Sequence, residues 1–115
     1  MTRTTRPITW IKAARKDFEA FPVAAQLEGL RSLTVAAEGS KADNTKPLKG
    51  FDSGVMEIVL KHRGGAFRVI YALQLGDDIW VVHAFQKKST QDIKTPKHEI
   101  DLVKDRVKRL KEQLP

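Results

Sequence analysis

The hydrophobic positions of this 115-residue chain follow two periodicities, which separate helix-like from strand-like segments. Residues 7–11 alternate and are rich in β-forming side chains, which predicts a short first strand carrying Trp10. The spacing then becomes helical and remains so until Gly39, a suitable C-terminal stop. Pro22 interrupts this helical region, so the pattern predicts a helical hairpin or one kinked helix.

The second part of the helical region continues its apolar stripe through Val23, Leu27, Leu30 and Thr34. Residues 40–46, which follow, are polar and rich in turn-forming side chains, and this composition predicts a surface loop.

Three strand-like runs follow the loop, at residues 55–61, 67–75 and 79–85. The breaks between them contain glycine, as hairpin turns do, so the pattern predicts an antiparallel meander. Thr95 and Pro96 then provide an N-cap and a proline at the first helical position. The last segment has an apolar stripe on a charged background and is predicted to be an amphipathic helix; its apolar residues are Ile100, Val103, Val107, Leu110 and Leu114.

This order of elements predicts one α+β domain spanning residues 1–115, in which helices cover an antiparallel sheet. The net charge of +7 favours polyanionic partners, namely nucleic acid, an acidic membrane face or an acidic protein, and does not choose among them. The chain has no cysteine, which excludes disulfides and is compatible with a reducing compartment. No signal peptide or membrane-spanning run is present, so we expect a cytoplasmic protein without membrane contact.

Several chemistries lack the residues that they require. His62, His83 and His98 have no metal-ligand spacing, and no glycine-rich loop precedes a helix, so we expect neither a metal nor a nucleotide cofactor. Ser53 and Ser89 do not lie in the sequence context of a nucleophilic serine.

What remains is a group of cationic residues around the predicted sheet: Lys46, Lys49, Lys61, Arg63, Arg68, Lys87 and Lys88. An ordinary solvated surface accounts for Lys46 and Lys61. Arg68 is different, because it lies inside an apolar strand where a guanidinium needs an anionic partner. That partner is either Glu57 of the neighbouring strand or a substrate phosphate, and the sequence favours neither.

The register of the last hairpin decides which lysine shares the face of Arg68. A three-residue turn places Lys88 on that face, whereas a two-residue turn places Lys87 and His83 there. The sequence leaves both registers open. In either register, His83 is more typical of a hydrogen-bonded core histidine than of a catalyst.

Five blocks of sequence, in this order and at these spacings, closely resemble the phage-derived HigB-like toxins of the RelE/ParE superfamily. They are residues 46–51, 54–58, 67–71 and 83–89, followed by Thr95 and Pro96. The resemblance extends over nearly the whole chain, including Trp10 and the break at Phe21 and Pro22.

The resemblance implies a compact RelE-like fold and a toxin of a type II toxin–antitoxin pair that cleaves mRNA on the ribosome without a metal. It also implies an antitoxin partner of the HigA helix-turn-helix type, held in a hetero-oligomer. Arg68 matches the arginine that contacts the scissile phosphate, and Lys88 matches the second basic residue of the pair ending the last strand. Lys49 matches the basic residue of a Leu-Arg-Gly block, and Lys46, Arg63 and His83 are expected to assist RNA binding.

Two departures from the RelE pattern concern the proton transfers. Glu57 and Val59 stand where RelE-like enzymes have lysines, and no residue matches the tyrosine near the C-terminus of RelE. Lys87 or Lys88 is therefore a candidate acid or base, and Glu57 is a candidate base as well as a clamp for Arg68.

Two other functions fit the same sequence. One is a basic binding module that inhibits a protein such as DNA gyrase, as ParE does, without cutting RNA. The other is a phage-derived RNA-binding protein without toxicity, whose binding would depend strongly on salt.

Overall fold

The computed structural model describes residues 5–51, 54–62, 65–87 and 94–114. In chain order the elements are β1 (Ile8–Trp10), α1 (Lys12–Glu19), α2 (Val23–Ala37), β2 (Thr45–Pro47), β3 (Val55–His62), β4 (Gly65–Leu75), β5 (Asp78–Lys87) and α3 (Lys97–Gln113). This arrangement confirms the predicted α+β fold, with its first strand, helical hairpin, antiparallel meander and C-terminal helix.

The five strands form one sheet in the order β1-β5-β4-β3-β2. β1 pairs with β5 in parallel, and the other neighbours are antiparallel. The predicted loop at residues 40–46 is wrong at its end, because Thr45 pairs with Ile58 and Pro47 pairs with Met56 to make β2. A strand of three residues with a proline is typical of a sheet edge.

Helices cover both faces of the sheet. α1 and α2 pack on the face that contains Ile58, Val69 and Val81. α3 packs on the opposite face, against Ile70 and Val82. Because side chains alternate along a strand, β3, β4 and β5 each supply both cores. The candidate functional side chains of these three strands share the face that α3 covers.

The hairpin between β4 and β5 has a two-residue turn, since Leu75 pairs with Asp78. Arg68 therefore lies opposite Phe85, and Ile70 lies opposite His83. This is the register that places Lys87 and His83 on the face of Arg68. Two shifts interrupt the pairing and offset each other: Val82 is an extra residue in β5, and β4 has one extra residue between Ala72 and Leu75.

α2 is oriented differently from what its apolar stripe suggests. Val23 and Leu27 are 71% and 60% exposed, and Leu30 is exposed as well. The helix instead buries a face of mostly small side chains: Ala25, Gly29, Ser32, Leu33, Ala36 and Ala37. Within the described residues, no helix is long and apolar enough to cross a membrane.

Candidate functional site

Arg68 lies in the central strand β4, and its guanidinium is buried with 4% of the residue exposed. Its Nη1 atom is 3.0 Å from Oε1 of Glu57, a residue that is 1% exposed. Glu57 is a diagonal neighbour of Arg68 on β3, because it pairs with Ile70 while Val59 pairs with Arg68. Of the two anionic partners that the sequence allows for Arg68, Glu57 is in contact with it.

Glu57 also contacts residues of two other segments of the chain. Lys46, directly opposite on β2, brings its Nζ to 3.9 Å from Oε1. The hydroxyl of Thr95 donates a hydrogen bond to Oε2. Both carboxylate oxygens therefore have partners, and these partners come from three separate segments of the chain.

The prediction that Thr95 is the N-cap of α3 is wrong. The N-cap of α3 is Pro96, which makes no side-chain cap, and the helix begins at Lys97. Thr95 is thus not the N-cap: its hydroxyl binds Glu57 across the site.

Lys87, at the end of β5, is 5% exposed. Its Nζ donates a hydrogen bond of 2.6 Å to the backbone oxygen of Lys94. The hydrogen bond helps to offset the cost of burying an ammonium group. It also joins the end of β5 to the segment that leads into α3.

His83 links the sheet to α3 through both nitrogens of its ring. Nε2 lies 3.2 Å from Oε2 of Glu99, and Nδ1 lies 3.3 Å from Nη1 of Arg106. A guanidinium only donates hydrogen bonds, so Nδ1 is the acceptor of the bond from Arg106. Nε2 then carries the ring proton and donates a hydrogen bond to Glu99. Burial lowers the pKa of His83 in spite of Glu99, which raises it, and this favours the same neutral form. His83 thus contributes to the attachment of α3.

A cleft of about 380 Å³ opens beside these buried groups. It is lined by Lys46, Pro47, Leu48, Lys49, Glu57, Lys94, Thr95 and Ile100. Lysine side chains thus surround a cleft whose wall includes the buried carboxylate of Glu57. The structure brings the predicted residues Lys46, Lys49 and Glu57 together here, and it adds Lys94 and Thr95, which the sequence pattern does not identify as site residues.

The remaining predicted site residues, Arg63 and Lys88, lie outside the described residues, as do Ser53 and Ser89. Tyr71 lies in the core with α1 and α2, on the opposite side of the sheet from the cleft. In the described parts of the chain, no three histidine, aspartate or glutamate side chains form a group able to hold a metal ion.

Comparison with known proteins gives one family and one fold. The family model described as phage derived protein Gp49-like matches residues 16–108. No curated protein sequence matches the chain.

Solved structures share the fold, among them the following three. A mutant of the Escherichia coli toxin RelE in the free state has a TM-score of 0.58 and 14% identity, over 91% of this chain and 97% of that one. The RelB-RelE antitoxin-toxin complex from Methanococcus jannaschii has a TM-score of 0.54 and 18% identity, over 77% and 100% of the two chains. The toxin-antitoxin complex RelBE2 from Mycobacterium tuberculosis has a TM-score of 0.51 and 13% identity, over 76% and 98%.

Proposed function

The chain belongs to the phage-derived Gp49-like family, and from that premise we propose that it is the toxin of a type II toxin–antitoxin system, an endoribonuclease that cleaves mRNA on the ribosome. The observation that carries the proposal is the buried pair of Arg68 and Glu57 beside a lysine-lined cleft, within a fold shared with RelE. A guanidinium is suited to a phosphate, because its fork of donors matches the phosphate oxygens.

The proposed reaction transfers the scissile phosphate to the neighbouring 2′-hydroxyl of the RNA. A base removes the proton of this hydroxyl, the oxygen attacks phosphorus, and an acid protonates the leaving 5′-oxygen. Arg68 stabilises the negative charge that develops on the phosphate in the transition state. Lys87 lies on the same face of the sheet as Arg68 and is the candidate acid among the residues that the structure describes. No metal is required.

Glu57 fits the role of a clamp better than that of a base in this conformation. Its two oxygens already contact Arg68, Lys46 and Thr95. A base must reach the hydroxyl that it deprotonates, and Glu57 is only 1% exposed. We therefore assign Glu57 to holding the guanidinium of Arg68 in place until RNA binds.

Access to Arg68 sets a requirement on the reaction. Thr95 and Glu99 contact the buried groups Glu57 and His83, and Lys94 holds Lys87. Arg68 is 4% exposed, so the proposed reaction requires the side chains that bury it to move before a phosphate can reach the guanidinium.

Growth arrest and mRNA cleavage after induced expression test the proposal. Arg68→Ala should lower the cleavage rate by about 100-fold or more, the usual cost of losing a donor that stabilises transition-state charge, and should abolish growth arrest. Arg31→Ala, which removes an exposed arginine on α2, should leave both unchanged. Equal toxicity of Arg68→Ala and wild type would contradict the site.

A second variant guards against loss of folding, because Arg68 belongs to a buried ion pair. Lys46→Gln combined with Lys49→Gln changes only exposed residues at the cleft. This variant should fold normally, by its circular dichroism and thermal midpoint, and should cleave more slowly. Primer extension on mRNA after induction would show the cut sites, their codons and whether they depend on translation.

The burial of Arg68 and Glu57 also favours a second candidate, a non-nucleolytic protein that binds and inhibits a protein target such as DNA gyrase. A sealed ion pair can be purely structural, and the basic surface would then act only in binding. Intact mRNA during growth arrest, together with a DNA-damage response, would select this alternative.

An antitoxin partner accompanies the first proposal. The related structures from M. jannaschii and M. tuberculosis are toxin–antitoxin complexes. We expect a small helix-turn-helix protein of the HigA type, encoded beside this chain and bound to it in the cytoplasm. The neighbouring reading frame tests this expectation, and co-expression of that protein should restore growth.

A further inference from the structure

A second and larger cleft, of about 580 Å³, lies along the C-terminal half of α3. It is lined by Gly50, Phe51, Gly54, Val55, Ala72, Gln74, Leu75, Lys104, Val107, Lys108, Lys111 and Glu112. We call it the α3 groove. In the part of the chain that the structure describes, no residue lines both this groove and the lysine-lined cleft.

One wall of the α3 groove is a row of cations. Lys104, Lys108 and Lys111 are spaced i, i+4 and i+7, so they share one face of the helix, and all three are exposed. Among the described residues, no carboxylate lies within ion-pair distance of these three lysines. Within the described ranges, Glu112 is the one acidic residue that lines the groove.

The floor of the groove is aliphatic. Val55, Ala72, Leu75 and Val107 line it, each at most 7% exposed, and they belong to the core beneath α3. Phe51 is half-buried against the same core. An occupant of the groove would thus meet apolar side chains below and three positive charges at one side.

We propose that the α3 groove binds an acidic amphipathic helix of a partner protein. Such a helix places aliphatic side chains on the floor and carboxylates beside the lysines, which satisfies both surfaces at once. An RNA backbone fits less well, because its phosphates would be brought against aliphatic side chains that offer no hydrogen bonds. Charge complementarity with a chain of net charge +7 also favours an acidic partner.

The lysine row also sets the spacing of the partner. Lys104 and Lys111 are seven residues apart, or about 10 Å along a helix at 1.5 Å per residue. A partner helix packed beside α3 therefore needs acidic residues over about two turns, at a spacing of i, i+4 and i+7. The proposal concerns a binding surface and requires no ribonuclease activity, so it can fail or succeed independently of the proposed function.

Fluorescence anisotropy with a designed peptide tests the proposal on the full chain. The probe is a fluorescein-labelled helical peptide of about 18 residues, with leucine on one face and glutamate along its edge. Two control peptides replace either the glutamates by lysine or the leucines by alanine. A single-stranded RNA oligonucleotide with the same label serves as the competing class of ligand.

Two charge variants with equal charge loss locate the binding site. The groove variant carries Lys104→Gln, Lys108→Gln and Lys111→Gln. The reference variant carries Lys12→Gln, Lys16→Gln and Arg31→Gln, three exposed positions on α1 and α2, which cover the other face of the sheet. A third variant, Phe51→Ala, alters only the apolar floor.

The groove variant should bind the acidic peptide about tenfold more weakly or worse, because the peptide loses three ion pairs at once. The reference variant should bind within about twofold of wild type, and both control peptides should bind more weakly than the probe. Phe51→Ala should also weaken binding, while the response to salt stays the same. Equal losses in the two charge variants, no binding of the acidic peptide, or a loss confined to the RNA ligand would each overturn the proposal.

Discussion

Tyr71 is the single tyrosine of the chain, and it is 1% exposed on the face of the sheet beneath α1 and α2. Burial raises its pKa to about 12 from the ordinary value of 10. The folded chain thus holds the phenolic proton more tightly than the unfolded chain, so stability is lost as pH rises from 10 towards 12. The phenolate absorbance should have its midpoint near 12 in buffer and near 10 in denaturant. A midpoint near 10 for the folded chain would contradict the burial of Tyr71.

Arg68 and Glu57 lend themselves to a double-mutant cycle. Removing one member of a buried ion pair strands the other charge, so Arg68→Met or Glu57→Leu alone should lower the free energy of unfolding by about 3–5 kcal/mol. The double variant should lose much less than the sum of the two single losses, since no isolated charge remains. Urea unfolding measures all four chains. Additive losses would mean that the two side chains do not interact.

Residue-level prediction from sequence succeeded where the signal was local. An arginine inside an apolar run indicates an anionic partner, and Glu57, one of the two partners that the sequence allows, is in contact with it. Thr95 gave no such signal, because its bond to Glu57 depends on how α3 packs on the sheet. The position of Lys87 depends on the length of the turn at Gly76-Asp77-Asp78 and on two register shifts that offset each other, and the sequence shows neither.

At the scale of elements, helix periodicity in α2 predicted its existence and not its orientation. Its buried face consists mostly of small side chains, which allow the helix to approach the sheet closely. Gly29 illustrates this, since a Cβ atom there would lie 2.9 Å from Cε1 of Phe18 and 3.4 Å from Cδ1 of Leu60. The sequence does not predict β2, because three residues that include a proline form a strand only when they pair with β3.

The orientation of α2 predicts which leucines stabilise the fold. Leu27→Gln changes a residue that is 60% exposed, so the free energy of unfolding should change by no more than about 0.5 kcal/mol. Leu33→Ala removes a side chain that is 0% exposed and should cost about 2–5 kcal/mol, because it leaves a cavity. Urea denaturation of the two variants measures this difference. A large loss from Leu27→Gln with little from Leu33→Ala would require α2 to be rotated about its axis.

At the scale of the whole molecule, RNA could be bound either by the overall positive charge of the protein or by lysines at one defined site. Replacing Lys46, Lys49 and Lys94 by glutamine empties the cleft of three cations and lowers the net charge from +7 to +4, since 7 − 3 = 4. The reference variant at Lys12, Lys16 and Arg31 reaches the same net charge, so a comparison of the two isolates position from total charge. Each RNA phosphate that a lysine no longer neutralises should reduce the salt dependence of single-stranded RNA binding by about 0.7 in the slope of log K against log salt. The cleft variant should therefore lose about 2 in this slope, whereas the reference variant should keep the slope of wild type. Equal slopes of log K against log salt in the two variants would mean that RNA is bound through the overall charge of the protein. The lysine-lined cleft would then not be the RNA-binding site.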